Sequence, residues 1–281
     1  AQASAAISAQ SFAALKPPRH LEYVAPRHFA ASGVAMAEST PFAPQADRLS
    51  GFTDVSVRQG FVQKVFGILT AQLLVTITIG ALVMSYFEDA ARNNPVTITT
   101  LLFASIISIL GVACMLICCP KLLRSFPTNY IILAIFTVAE SVLIGVVSIQ
   151  YTQESVLIVL GITALVVASL LLFACQTGYD FTGAGPYLFC ALMVLAGFGL
   201  SLSLAALFGA SGPAFETARL LMAACGALIF SMFIVYDTQL IIGGKHEMQF
   251  SIDEYCFAAL SLYLDITRLF LYLLELFGDR R

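Results

Sequence analysis

Charge is scarce in this chain of 281 residues: only 11% are Asp, Glu, Lys or Arg, where a soluble domain carries about 25%. Hydrophobic residues make up 59% and the mean hydropathy is +0.90. So much apolar surface cannot be hidden in one soluble core of this size, so lipid must solvate the remainder. Histidine is also rare. His20, His28 and His246 all lie outside the apolar runs, and His246-Glu247 has no second histidine four residues on, so the helical zinc-protease motif fails. No lysine sits in the middle of an apolar run; Lys16, Lys64, Lys121 and Lys245 all lie outside, which argues against a chromophore-linked light-driven pump. Net charge is −3 with scattered bases, so no nucleic-acid surface is expected.

The seven cysteines (Cys114, Cys118, Cys119, Cys175, Cys190, Cys225 and Cys256) have no zinc-finger spacing, and their odd number argues against a disulfide framework. Small buried apolar residues are the expectation for them, with Cys118 and Cys119, at a membrane boundary, also candidates for acylation. Gly209-Ala210-Ser211-Gly212 matches the Gly-x-Ser-Gly of intramembrane serine proteases but falls in a loop before Pro213. No enzyme and no cofactor is expected.

Alternating stretches of about ten residues, the mark of a membrane barrel, are absent. Continuous apolar runs take their place, and a helix satisfies its own backbone in lipid. Seven of them approach the 20 or so residues a crossing needs: Val65–Phe87, Val96–Cys119, Tyr130–Ile149, Val156–Cys175, Tyr187–Phe208, Leu220–Ile242 and Tyr255–Phe277. The expected fold is an all-α integral membrane bundle of seven helices over residues 61–281. Residues 1–60, rich in Ala, Ser and Pro, read as an extramembrane arm that could lie along other membrane-complex subunits. Its acid-poor start is similar to an organelle-targeting segment. Bases before the first span (Arg48, Arg58, Lys64), in the 2–3 loop (Lys121, Arg124) and in the 6–7 loop (Lys245) place the N-terminal side on the cytosol, or the equivalent organellar face. The mixed charges after the last span (Glu275, Asp279, Arg280, Arg281) give no preference there, and the charged centre of that span leaves a re-entrant course open.

Ionisable groups inside a span are costly and mark function by default. Four qualify: Glu140, Asp237, Asp265 and Arg268. At about 1.5 Å per residue from the loop ends, Asp237 lies roughly 9 Å deep and Asp265 roughly 18 Å, so a contact requires a stagger or tilt. Two carboxyls that meet in a low dielectric cannot both ionise cheaply and share a proton; its loss leaves an oxygen site for a hard cation. The plainer alternative pairs Asp265 with Arg268 at i,i+3 on one helix face, and makes Asp237 a polar group near a helix end. Glu140 has no evident partner.

The stretches Val235-Tyr236-Asp237-Thr238-Gln239-Leu240-Ile241-Ile242-Gly243-Gly244-Lys245-His246 and Asp253-Glu254-Tyr255 through Tyr263-Leu264-Asp265-Ile266 to Leu274 resemble the transmembrane Bax inhibitor motif family, lifeguard branch. Phe61-Val62-Gln63-Lys64-Val65 through Leu74, and Pro127-Thr128-Asn129-Tyr130 leading to Glu140-Ser141, are similar to its first and third helices. The resemblance covers about residues 55–278. It implies seven helices with the last one central, a pH-sensitive calcium leak from intracellular stores, and suppression of cell death. It places the two sensor aspartates on Asp237 and Asp265, with calcium as the permeant ion. One position departs: Arg268 stands where the family pattern Asp-Ile-x-Asn-Leu-Phe has Asn, and a fixed positive charge there repels calcium and could lock the pore. Two functions follow as expectations. One is a cation leak channel of an intracellular membrane, either mitochondrial inner membrane or endoplasmic reticulum/Golgi. The other is a structural accessory subunit of a larger organellar complex, with the fold kept and transport lost. A seven-helix receptor fits the span count but not the ionisable pattern.

Overall fold

The structure, a computed structural model, describes residues 45–93, 95–118, 126–243 and 249–281. Among these residues the secondary structure is helical apart from an isolated bridge between Tyr151 and Arg280. The helices are α1 (Gln45–Asn93), α2 (Pro95–Cys118), α3 (Thr128–Ser148), α4 (Gln153–Gln176), α5 (Gly185–Leu207), α6 (Pro213–Ile242) and α7 (Tyr255–Phe277). Six of them are long and apolar enough to cross a membrane, each with a stretch of mean hydropathy between 1.6 and 3.0. The chain is a multi-pass membrane protein.

Most helix ends fall within about three residues of the apolar runs. Two starts do not. Helix α6 begins seven residues early, at Pro213, because proline suits the first helical position and Gly212, at φ +109°, makes the turn into it. The protease-like Ser211 is an exposed loop residue beside that turn. Helix α1 starts at Gln45, inside the segment assigned to the arm; from Arg58 and Phe61 onward it packs on the bundle. Residues 1–44, with the rest of the expected arm and its targeting character, lie outside the described residues. Local signals set other starts: Thr152 accepts from the Ser155 N–H ahead of α4, and Ser251 with Glu254 forms a capping box ahead of α7.

Helix α7 is the most enclosed. Of its apolar window 83% is buried, against 17–56% for the other five, although its hydropathy, 1.6, is the lowest. It packs against α6, α1, α4 and α3. Charged and hydroxyl side chains can reside on α7 because protein, not lipid, surrounds them. The outer helices do the reverse: Leu157, Leu165, Val194 and Leu228 are 67–73% exposed, which in water would be an aggregating surface. The cysteines follow the same division. Cys256 on α7 is buried, but Cys114, Cys175, Cys190 and Cys225 are exposed, correcting the expectation of buried packing residues. The outer faces of these helices are solvated by hydrocarbon, so a small apolar residue has no need of the core.

Small residues bring helices close. A Cβ on Gly145 of α3 would lie 2.8 Å from Val83 Cβ of α1, and a Cβ on Gly226 of α6 would lie 2.7 Å from the Tyr272 ring of α7. At the far end of α7 the chain closes on the α3–α4 turn. Thr152 N–H donates to the Asp279 carbonyl and Arg281 N–H to that of Gln150. Tyr151, 2% exposed, donates to Glu275 Oε2 at 2.9 Å. Burial, and then the Glu275 charge, pushes the Tyr151 hydroxyl above the ordinary tyrosine range.

Gly145→Ala is expected to cost about 1–3 kcal/mol, because Val83 meets it through its Cβ and cannot swing aside. Gly161→Ala on α4, with open space around it, serves as the near-neutral control in thermal melts in detergent. Tyr151→Phe should cost about 1–2 kcal/mol at neutral pH. Since the folded-state pKa is raised, the wild-type contribution is present below about pH 10 and is lost as pH rises further. The gap between the two proteins should therefore close in alkaline melts; a gap independent of pH would mean that burial and Glu275 do not hold the hydroxyl in its protonated form.

Candidate functional site

Helices α6 and α7 run antiparallel as one hairpin, and the register decides the site. Phe230 stacks on Tyr272 with ring centroids 5.7 Å apart. Seven residues along each helix from that pair, the carboxyl groups of Asp237 and Asp265 come within hydrogen-bonding reach of each other. Counting back from Asp265 as far as Ile242 lies beyond Asp237 reaches Leu260. The first turn of α7, Tyr255 to Ala259, therefore stands beyond the end of α6, by roughly 7 Å of helical rise. That stagger removes most of the depth difference counted from the loop ends.

The pair is sealed from solvent, with Asp237 at 5% and Asp265 at 4% exposure. Ser261, one turn before Asp265, hydrogen-bonds to Asp237. Asp265 Oδ2 has no partner. A hydrogen bond between two carboxyls requires a hydrogen on one of them, so two such groups held together out of water favour sharing one proton over carrying two charges. Among the described residues no third His, Cys, Asp or Glu joins it. Two carboxyls supply at most four oxygens, whereas calcium takes six to eight, so carbonyls and water would have to complete any coordination.

Arg268 does not pair with Asp265. Its Nη2 lies 3.0 Å from Glu140 Oε1 of α3, and the Glu140 side chain is fully buried. This replaces the i,i+3 pair on α7, the plainer alternative, and supplies the partner that Glu140 lacked. The cross-helix pair is close in distance but poor in direction: neither Glu140 oxygen accepts a hydrogen bond, and Arg268 Nε has no acceptor. A short chain of hydroxyls lies beside it. Ser141 donates to Thr76 Oγ1 at 3.0 Å, Thr76 and the Tyr263 hydroxyl are 2.8 Å apart, and Gln72 donates to Thr137 at 3.0 Å. Helices α1, α3 and α7 are thus joined by polar side chains in a water-poor interior.

Nor is Asp237 a helix-end group. The end of α6 is closed by the Gly243 N–H on the Gln239 carbonyl, by Phe250 N–H on Leu240, and by Arg58 from α1. The Gln239 side chain fastens the α4–α5 loop, accepting from Phe181 N–H at 2.7 Å and donating to the Tyr179 carbonyl at 2.9 Å. Sequence reasoning overlooked Ser261, Gln239 and Arg58. Ser261 was detectable, four residues before Asp265 and so on the same face. Arg58 was not, because its partners lie more than 180 residues away.

With this geometry in place, comparison with known proteins decides the family. The model of the family described as inhibitor of apoptosis-promoting Bax1 matches residues 58–281. The chain belongs to this family. It is 36% identical over 232 residues to protein lifeguard 3 of Mus musculus, and 35% identical to protein lifeguard 3 of Homo sapiens, covering 81% of this chain and 71% of each relative. Protein LIFEGUARD 4 of Arabidopsis thaliana is 34% identical over 229 residues, 79% of this chain and 85% of its own. The match takes in both members of each buried pair, Glu140 with Arg268 and Asp237 with Asp265, and begins at Arg58 itself.

Removing one member of the Glu140–Arg268 pair leaves a buried charge without a counterion. Glu140→Gln or Arg268→Met alone should each cost about 3–5 kcal/mol. The double variant should recover most of that loss in detergent melts; additive losses would show that the two side chains do not interact.

Proposed function

We propose that this chain is a proton-controlled cation leak, with calcium as its permeant ion, in an intracellular membrane, and that it acts in suppressing cell death as the family's name indicates. The observation that carries the reading is the Asp237–Asp265 carboxyl pair, close together and buried between two adjoining helices. Losing the shared proton places two negative charges in a low dielectric, and a divalent cation relieves their repulsion. The site is poor in ligands, which suits passage rather than storage. In this reading α2 crosses as well, giving seven spans with α7 enclosed by the other six, and the Arg58 end of α1 faces the cytosol or its organellar equivalent.

Arg268 bears on the rival reading, a structural subunit of an organellar complex. That reading draws on Arg268 as a charge that locks the aspartates. Engaged with Glu140 at 3.0 Å, the guanidinium modulates the interior as half of a neutral pair and leaves Asp265 to Asp237. Beyond it, toward the α7 C-terminus, a cavity of about 420 Å³ is lined by Arg268, Arg219, Tyr272, Glu275 and Ser203 among others. Arg219 ion-pairs with Glu275 there. This cavity gives the pathway a mouth on the side opposite Arg58.

Reconstituted in liposomes with a calcium indicator, the wild type should admit more calcium as pH rises from about 6 to about 8, since deprotonating the pair creates the site. Asp265→Asn and Asp237→Asn should each flatten that profile to the level of empty liposomes. An aspartate variant with the wild-type profile would remove that residue from the mechanism. A wild type silent at every pH would leave the scaffold reading.

A further inference from the structure

Arg58 holds an unusual set of acceptors. Its Nε donates to the Ile242 carbonyl at 3.0 Å, Nη1 to Phe250 at 2.8 Å, and Nη2 to both Leu240 and Ile241 at 2.6 Å. The guanidinium also lies 4.8 Å above the Phe61 ring. Leu240, Ile241 and Ile242 are the last residues of α6, whose carbonyls have no donor within the helix and form its negative end. Phe250 belongs to the far side of the α6–α7 loop. Gly243, at φ +61°, provides the space: a Cβ there would lie 2.5 Å from Arg58 Nη2 and 2.7 Å from Cζ.

Closing a helix end needs less than this. A glycine in a left-handed conformation with one or two backbone bonds commonly suffices, and the Gly243 N–H already supplies one. Here a cation brought from 182 to 192 residues away gathers four carbonyl oxygens from both sides of a loop. Convergent carbonyl oxygens are what proteins use to replace the water around hard cations. Asp237 lies three residues before Leu240, about 5 Å along the helix. A cation approaching the aspartate pair from this end would meet these oxygens first.

We propose that Arg58 is a tethered cation that occupies a carbonyl-lined cation site at this mouth and keeps it shut. Its release from Leu240, Ile241, Ile242 and Phe250 is the step that admits a hard divalent cation to Asp237 and Asp265. The inference rests on the transport reading above. Lys64, whose ammonium lies 5.7 Å over the Tyr255 ring, and Asn129, which donates to the Tyr255 hydroxyl at 3.1 Å, hold the start of α7 at the same end. Arg58 therefore closes an end that is otherwise fixed.

Three variants test it: Arg58→Gln removes the charge, Arg58→Lys keeps the charge but loses the fork, and Gly243→Ala leaves Arg58 intact but displaces it. Each is first checked for monodisperse elution and helical content, and Gly243→Ala and Arg58→Lys carry the test where Arg58→Gln does not fold. Calcium entry into liposomes at the pH where the wild type is nearly closed should rise several-fold, least in Arg58→Lys. Amide exchange across residues 240–250 should quicken by about tenfold or more in Arg58→Gln and Gly243→Ala. Faster exchange with wild-type calcium entry would reduce Arg58 to a structural cap and overturn the proposal. Unchanged exchange would overturn it too, by showing that Arg58 does not hold this end. A wild type that passes no calcium at any pH sinks the transport reading and this inference with it. A conducting wild type with silent variants overturns the inference alone.

Discussion

In a bilayer every ionisable side chain must find its counterpart within the protein, and the architecture of this chain follows from that constraint. Asp265 and Arg268 on α7 are carried on the helix of lowest hydropathy, and that helix is 83% buried. The relation is causal: a segment with two charges one turn apart is a poor lipid-facing helix, so it packs against apolar helices that lipid tolerates. Each charge then takes a partner from a different neighbour, Asp265 from α6 and Arg268 from α3. Pairing within α7 would have satisfied both charges with less ordering of the bundle. Pairing outward makes helix identity and register part of the electrostatics.

Most of the fold was legible in the amino-acid sequence, because continuous apolar runs bounded by Pro, Gly and charge have one reading in lipid. The start of α6 was misjudged because Glu216 and Arg219 interrupt the apolar run while continuing the helix. The four charged candidates were also legible, since any ionisable group in such a run stands out. Their partners were only half legible. Register between antiparallel helices depends on the path of the loop between them, and counting from loop ends assumes that both helices start level. The first turn of α7 projects beyond α6, which makes a direct Asp237–Asp265 contact possible despite the apparent 9 Å mismatch. For Arg268 the i,i+3 rule offered Asp265, a valid neighbour in an isolated helix; tertiary packing offered Glu140, entirely out of water, where an unpaired charge would cost more.

The α6–α7 hairpin is fastened at both ends. At one, Arg58 and the Gln239 side chain bind the end of α6 to α1 and to the α4–α5 loop. At the other, Glu275 receives Arg219, Arg280 and the Tyr151 hydroxyl. Between them the polar atoms are less well satisfied: Asp265 Oδ2, both Glu140 oxygens, Arg268 Nε and Gln72 Oε1 are buried without hydrogen-bond partners. The groups without a protein partner are thus the deepest ones, where leaving a polar atom unpaired costs most.

The charge balance of that middle gives Arg268 a meaning different from a lock. With Glu140 ionised, the Glu140–Arg268 pair is neutral, and the interior charge is set by the aspartates alone: one negative charge while they share a proton, two when they do not. Asparagine at 268 would take away the guanidinium that faces Glu140, whose side chain is fully buried, and leave it without that counterion. Arginine paired with Glu140 adds no net charge beside the aspartates. Arg268, the one position that departs from the family pattern, thus meets in Glu140 a partner carried by the segment that resembles the family's third helix, and this makes a fixed positive charge compatible with the aspartate pair one turn away.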